Sequence, residues 1–315
     1  MAWIVGIDEA GYGPNLGPMV QSAVAMRVPD PSTNLWETLQ KVARRADDAD
    51  DGRLAIDDSK AVNNGPNGFA RLELGVLSVF SHTEISVLGE WIKQIAVNGS
   101  AEDMAGETWY GADQSLPIEI EGELFQAAAS SWRSAIADAG IEVALPRCVI
   151  TPTPRFNEVL TEHGTKAAVT GRGMIALIAD FFERADEPVH FTIDKLGGRN
   201  FYAAMIQTAI PDGWVTIIKE SAESSEYHIH GLKVPVHITI RPRAESEQMT
   251  VALASMLSKY LREVFMKQFN AYWLTHLPGL TPTAGYPSDA KRFYDAIHPV
   301  CKKLGMEKHA VWREK

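Results

Sequence analysis

Carboxylates appear at three points in this chain where an apolar run gives way to a turn. The first is Gly6-Ile7-Asp8-Glu9-Ala10-Gly11-Tyr12-Gly13-Pro14, which follows the apolar run Trp3-Ile4-Val5. The second is Val189-His190-Phe191-Thr192-Ile193-Asp194, followed by Lys195-Leu196-Gly197-Gly198-Arg199. The third is Glu245, just ahead of a long helical pattern. Acids at the exits of buried strands suit a hard divalent cation, which takes oxygen ligands. Side chains of neighbouring strand residues point to opposite faces, so Asp8 and Glu9 can act together only if the strand ends or bends there. Gly11 and Gly13 allow such a turn and a close approach of substrate to backbone. Each acid also has a plainer reading. Asp8-Glu9 and Asp194 can be solvated turns, and Glu245 can serve the helix that follows, where the dipole favours an acid. The repetition of strand, acid and glycine turn puts chemistry on an equal footing with the plainer reading: side by side, two such strands would bring their acids together.

Other polar groups are candidates for anion contacts. Ser59 and Lys60 lie in a polar turn before a helix, where a cation and free N–H groups favour phosphate, although taken alone an exposed lysine is the better reading of Lys60. Ser255, Lys259 and Arg262 form a polar stripe on the long helix. Gly171-Arg172-Gly173 sits inside a helical pattern, so close helix packing accounts for its glycines. His228, His230 and His237 fall on a predicted hairpin; without cysteine or an accompanying acid, a solvent-facing strand surface explains them better than zinc. The acids of 47–51 lack the spacing and distal Glu of a calcium loop.

The elements that must position these groups read as follows. Strands are expected at 3–8, 19–28, 85–88, 141–150, 189–194 and 215–219, with a hairpin over 227–241. The second strand pairs antiparallel with the first through the Gly/Pro-rich loop. Helices are expected at 34–45, 69–80, 121–139, 156–162, 166–184, 247–270 and 289–297, with an acidic loop over 101–116. In the long helix Leu257, Leu261, Val264 and Phe265 form an apolar stripe. The 315 residues, 45% hydrophobic and 22% charged, suit one or two globular domains. A formal net charge of −10 argues against a broadly basic nucleic-acid binder, but not against one local basic groove. Cys148 and Cys301 stand far apart without a CxxC, so a reducing cytosol is expected. No signal peptide is expected, and no apolar run approaches the roughly 18 residues that cross a membrane.

Five motifs, in order, resemble the type 2 ribonuclease H family (ribonuclease HII/HIII). Asp8-Glu9-Ala10-Gly11-Tyr12-Gly13-Pro14 is similar to its Asp-Glu-Ala-Gly-Arg-Gly-Pro opening, and Asp58-Ser59-Lys60 to its Asp-Ser-Lys turn. Ile193-Asp194 resembles its central strand. Glu245 with Ala254 to Glu263 resembles its acid-plus-helix segment, and Gly285-Tyr286-Pro287-Ser288 its Gly-Tyr-Pro-Thr. The resemblance covers about two-thirds of the chain. It implies a ribonuclease H-like α/β fold: a mixed five-stranded sheet flanked by helices. A catalytic domain over 1–270 would carry an insertion at about 90–150 and a hairpin at about 220–240, with a helical extension over 271–315. It implies Asp8, Glu9, Asp194 and Glu245 as catalytic residues and ligands of two Mg2+ or Mn2+ ions. The implied substrate is an RNA–DNA hybrid or a duplex with embedded ribonucleotides, cut to leave 3′-hydroxyl and 5′-phosphate ends in the cytoplasm. Gly11, Tyr12 and Gly13 would meet the 2′-hydroxyl, Tyr286 would pack on the sugar, and Ser59, Lys60, Lys259 and Arg262 would contact the strands. The chain departs from the family pattern in Tyr12 for Arg, Glu245 for the Asp of ribonuclease HII, and Lys-Leu-Gly-Gly-Arg after Asp194. It also lacks a recognisable terminal His-Arg segment.

Overall fold

The computed structural model describes residues 1–83 and 85–314. Eight strands form one mixed sheet: β1 (Ala2–Ala10), β2 (Met19–Val28), β3 (Glu142–Val143), β4 (Arg147–Thr151), β5 (Val189–Asp194), β6 (Trp214–Glu220), β7 (Ser225–His230) and β8 (Val236–Arg241). Their order is β3-β2-β1-β5-β8-β7-β6, with β4 also on β2. The strand β1 is antiparallel to β2, from Ala2↔Val28 to Ala10↔Val20, and parallel to β5, from Trp3↔Val189 to Ile7↔Ile193. The strand β8 runs parallel to β5, with Arg241 opposite Asp194. Because β1, β5 and β8 share a direction, their carboxyl ends leave the sheet at one edge. In open α/β sheets that edge is where ligands bind.

Both faces of the sheet are covered. On one, Ile4, Val24 and Met26 join Leu253, Leu257 and Leu261 of the long helix α6 (Met249–His276) and Leu72 and Val76 of α2 (Gly68–Val79). On the other, Val5, Ile7, Phe191 and Ile238 join Leu177 and Ile178 of α4 (Lys166–Phe182) and Ile206 of α5 (Ala203–Ala209). Burial on both faces explains why β1 reads as an apolar run rather than an alternating one. At Gly6 a Cβ would collide with the backbone of Thr250 and Val251. The glycine therefore lets the first turn of α6 lie directly on β1, two residues before Asp8. Beyond the sheet, Phe269 and Trp273 of α6 pack with Phe293 and Ile297 of α7 (Pro287–Lys303).

A mixed sheet flanked by helices is the architecture expected, but the sheet has eight strands, not five. Besides β1, β2, β5 and β8, the sheet takes in two strands from 141–151, which pair antiparallel onto β2, and the 214–230 pair beyond β8. Residues 85–88 form no strand among those described. Val87 makes one bridge to Ser115, and a helix follows at Leu88–Ile95. Its buried Leu88, Trp91, Ile92 and Ile95 have helical spacing, which outweighs the short apolar run before them. The helix expected over 34–45 shrinks to Leu35–Thr38, after which Ala43–Arg44 pairs with Leu54–Ala55. The acidic stretch after residue 100 contains a helix, Ser100–Ala105. The long helix runs on to His276. Inside α4, a side chain at Gly171 would meet Met205 and one at Gly173 would collide with Gln21, so these glycines serve packing.

Candidate active site

The shared sheet edge opens into a cleft of about 340 Å³ lined by Asp8, Glu9, Asp58, Ser59, Lys60, Asp194, Arg243, Glu245 and Ser255. All four acids singled out in the sequence are there. The expected break at Asp8-Glu9 does not occur, since β1 continues to Ala10. Both acids line the cleft even so, because pairing with β5 stops at Ile7. The backbone N–H of Glu9 donates to Asp8 Oδ1 at 2.7 Å, and Ser258 on α6 donates to the Asp8 carbonyl at 3.2 Å. Asp194 Oδ1 accepts from the backbone of Ala244 at 3.2 Å, tying β5 to the turn that carries Glu245.

Glu245 does not cap α6. Gln248 holds the N-cap position, and Glu245 lies in a separate 3-10 turn, Ala244–Ser246. That turn is held by Arg45, which donates to the carbonyls of Glu245 at 3.4 Å and Ser246 at 2.5 Å while stacking on Trp36. Three lining residues, Asp58, Arg243 and Ser255, were not picked out as site residues. Asp58 belongs to the Asp-Ser-Lys turn, where its side chain caps the short helix α1 (Ser59–Val62) by accepting from Lys60 N. Arg243 precedes the 3-10 turn with a left-handed φ of 58°. Its Arg-Pro-Arg context is the signal that could have marked it.

A second pocket, about 180 Å³, adjoins the first through shared Glu9, Ser59 and Lys60. Gly11, Tyr12, Gly13, Pro14, Lys259, Arg262 and Tyr286 complete its walls. Every residue expected to contact substrate therefore lines this pocket. Its two loops are joined by backbone: Asn15 N and Leu16 N both donate to the Gly285 carbonyl, at 2.8 and 3.3 Å. Arg262 staples the same loops from beneath, donating through Nη2 to Leu16 O at 3.2 Å and Ala284 O at 3.0 Å. Its position differs from that of Lys60: Arg262 is buried, whereas Lys60 is exposed. Lys259 pairs with Glu263 at 2.5 Å.

Electrostatics set the acids apart from ordinary surface carboxylates. Burial pushes Asp8 well above the usual carboxylate range, and the charges of Glu9 and Asp194 add to the shift. Glu9 is raised to about 7, first by burial and then by Asp194. Burial also raises Asp194 and Glu245. Glu9 Oε2 is buried without a hydrogen-bond partner. Crowded, poorly solvated oxygens of this kind suit a hard divalent cation, whose charge would reverse these shifts. As placed, no three His, Cys, Asp or Glu side chains among the described residues converge closely enough to enclose an ion. The fit lies in the donor chemistry and in the orphaned Glu9 oxygen.

The histidines form a separate group. His190, His237 and His228 lie side by side across β5, β8 and β7, with ring centroids 4.9 and 4.1 Å apart. They belong to the absence just stated for metal-holding groups. Among the described residues no helix is long and apolar enough to cross a membrane.

No family model and no curated protein matches the chain. Among solved structures it is similar to the RNase HII of Archaeoglobus fulgidus, solved in complex with PCNA, at 12% identity and a TM-score of 0.46, covering 99% of this chain and 94% of that one. It is similar to the ribonuclease H2 of Pyrococcus horikoshii OT3 at 14% identity and a TM-score of 0.45, covering 98% and 92%. A third likeness is to Bst-RNase HIII in complex with Mn2+, at 16% identity and a TM-score of 0.41, covering 99% and 66%. At this distance no residue's role carries across from them.

Proposed function

We propose that this chain is a Mg2+- or Mn2+-dependent endoribonuclease. It would cut the RNA strand of RNA–DNA hybrids, or a strand at a ribonucleotide embedded in duplex DNA. The observation that carries this reading is the meeting of Asp8, Glu9, Asp194 and Glu245, from three distant parts of the chain, in one cleft that adjoins a cation-walled pocket. The motif resemblance points to the same residues and supports the same reading.

Two divalent ions, when bound, supply activation of a water and stabilisation of the leaving oxygen in an in-line phosphodiester displacement. Asp8, Glu9, Asp194 and Glu245 would hold them, with Glu9 Oε2 open for the purpose. Ser59, Lys60 and Lys259 bind strand phosphates at the boundary between the two pockets. The backbone of Gly11-Tyr12-Gly13 approaches the ribose, where the 2′-hydroxyl separates RNA from DNA. Tyr286 packs on the neighbouring sugar, held there by the Gly285 junction. Arg262 fixes the loops on which both contacts depend. The products carry 3′-hydroxyl and 5′-phosphate ends.

The test is strand cleavage, with Mg2+ or Mn2+, of three duplexes: an RNA–DNA hybrid, a DNA duplex with one ribonucleotide, and an all-DNA duplex. Cleavage is expected only where a 2′-hydroxyl is present. Asp8→Asn and Asp194→Asn should each lose roughly a hundredfold or more, since even outer partners of metal ligands cost that much. Equal rates on all three duplexes would replace this reading with a nuclease of another target. Full activity in both variants would remove the nuclease reading.

A further inference from the structure

Two arginines near the Gly11–Pro14 loop are buried without a counter-ion among the described residues. Arg262 is 1% exposed and Arg313 0%, and among the described residues neither has a carboxylate within 4 Å. Arg313 lies in the C-terminal tail, far in sequence from the acids. Its Nη2 donates to the Pro14 carbonyl, and its guanidinium stands 4.7 Å from the Phe156 ring centroid. In both arginines Nε and Nη1 are buried and have no hydrogen-bond partner. Burial lowers the proton affinity of each, and the charge of Arg262 lowers that of Arg313 further. Two like charges in a poorly solvated place are costly unless an anion completes them.

The tail is fastened so that Arg313 stays in place. Arg313 N donates to Asn15 O at 2.8 Å, and Asn15 Nδ2 donates back to Arg313 O at 3.1 Å. Asn157 holds the other side, donating to the carbonyls of His309 and Trp312 at 2.9 Å and accepting from Glu314 N at 2.8 Å. Pro14 also lines the pocket walled by Gly11, Tyr12, Lys60, Lys259, Arg262 and Tyr286. Arg262 lines it, and Arg313 stands behind its Pro14 wall. Tyr12 brings no cation to this wall, while Glu9 brings an acid. Lys60 and Lys259 line the pocket as well, but Lys259 is paired with Glu263, so charge from behind the loop would add to what an anion meets here.

We propose that this pocket is a phosphate site to whose positive charge both buried guanidinium groups contribute beside Lys60 and Lys259, so that the C-terminal tail acts through Arg313 as a positioning and charge-supplying part of the substrate surface. The proposal rests on the nuclease reading only for the source of the phosphate, which is either a strand backbone or a free phosphate.

The experiment uses the full chain in EDTA, so cleavage plays no part. Thermal unfolding is compared in sodium phosphate and in sodium chloride of equal ionic strength. Phosphate at about ten times its Kd should raise the midpoint by about 2–4 °C. Arg313→Lys should keep the shift, and Arg313→Gln should lose it. A second arm measures binding of an all-DNA duplex by anisotropy across a salt series. If Arg313→Gln weakens that binding and lowers the salt slope by about one counterion, the phosphate belongs to a strand. If only the inorganic phosphate shift is lost, the ligand is a free phosphate. The proposal is overturned if the wild-type chain shows no phosphate-specific shift, or if a folded Arg313→Gln keeps it whole. Should the Gln variant not fold, loss of the shift in a folded Arg313→Lys overturns the proposal as well. A chain that shows these shifts but cleaves nothing keeps the site and loses the nuclease reading.

Discussion

Arg262 lies directly beneath Gly11. Its Nε is 2.7 Å, and its Cδ 2.8 Å, from where a side chain at position 11 would begin. Gly11 also has a φ of 94°, which side-chain-bearing residues rarely adopt. Two independent constraints therefore act on one residue of the loop. Gly13, two residues on, has no atom within 4 Å of the equivalent point. Gly11→Ala should destabilise the chain by about 1–3 kcal/mol through backbone strain and overpacking. It should also displace Arg262 from Leu16 and Ala284, weakening duplex binding. Gly13→Ala should change stability by less than about 0.5 kcal/mol, as surface substitutions do. Urea midpoints of the two variants, with binding measured on the same samples, check the contrast.

The acidic cleft makes the metal-free chain sensitive to pH. Glu9 is raised from 4.5 to about 7, and Asp8, Asp194 and Glu245 are also raised, each chiefly by burial. A carboxyl with a folded pKa above its unfolded one binds protons more readily in the folded chain. Its contribution to stability is full below the unfolded value and is lost as pH rises through the folded value. In EDTA the midpoint of unfolding should therefore rise as pH falls from about 7 towards 4.5. Glu9→Gln should be more stable than the wild type at pH 7 and flatten this slope. Saturating Mn2+ should stabilise the wild type at pH 7 but have little effect on Asp8→Asn. Calorimetric scans with and without Mn2+ read all three outcomes.

Asp8, Glu9 and Asp194 were legible because strand, acid and glycine turn follow one another along the chain. The parallel directions of β1, β5 and β8 then convert that local pattern into a meeting point. Glu245 was harder, since an acid ahead of a helix reads as a dipole partner until Gln248 is seen to hold the N-cap position of α6. Asp58 was hidden by its own capping bond to Lys60 N. Arg313 could not be found from sequence. Its role depends on a tail that returns to Asn15, and long-range returns of this kind leave no local pattern. The count of five strands came from the family resemblance; the residues themselves read as strands at 141–150, at 215–219 and in a 227–241 hairpin, and the sheet takes in all of these. Residues 85–88 misled because β-branched apolar runs and helix starts look alike over four positions.

The histidine row should oppose the cleft in its pH response. Burial lowers His190 and His237, and the nearby His228 lowers both further. A histidine with a depressed folded pKa binds protons more readily when unfolded, so its cost appears as pH falls below the unfolded value of 6.5 and grows towards the folded one. His237→Asn removes one such group from the centre of the row, between His190 and His228. The variant should lose less stability than the wild type between pH 6.5 and 5, with saturating Mn2+ present to silence the acids. Near-identical slopes for the two proteins would show that the row carries no such coupling.

Glu73 joins the 118–120 segment to the helix that carries Lys259 and Arg262. It is fully buried on α2, and its two oxygens accept four bonds. Oε1 accepts from Ile118 N at 2.7 Å and Tyr260 Oη at 2.9 Å; Oε2 accepts from Glu119 N at 2.7 Å and Ile120 N at 3.1 Å. All four partners are donors, so only a group with two accepting oxygens satisfies them. Glu73→Gln places an amide donor against backbone N–H groups and leaves a buried donor unmatched. The expected cost is about 2–3 kcal/mol, against about 1 kcal/mol for Tyr260→Phe, which removes a single bond. Because Tyr260 lies between Lys259 and Arg262, the Glu73 variant should also speed amide exchange at 118–120 and along that turn of α6. The acids of the cleft do not touch Glu73, so Mn2+ should still raise the melting midpoint of the variant. Urea titration and hydrogen exchange test both parts, and a cost for Glu73→Gln no larger than for Tyr260→Phe would overturn the four-bond account.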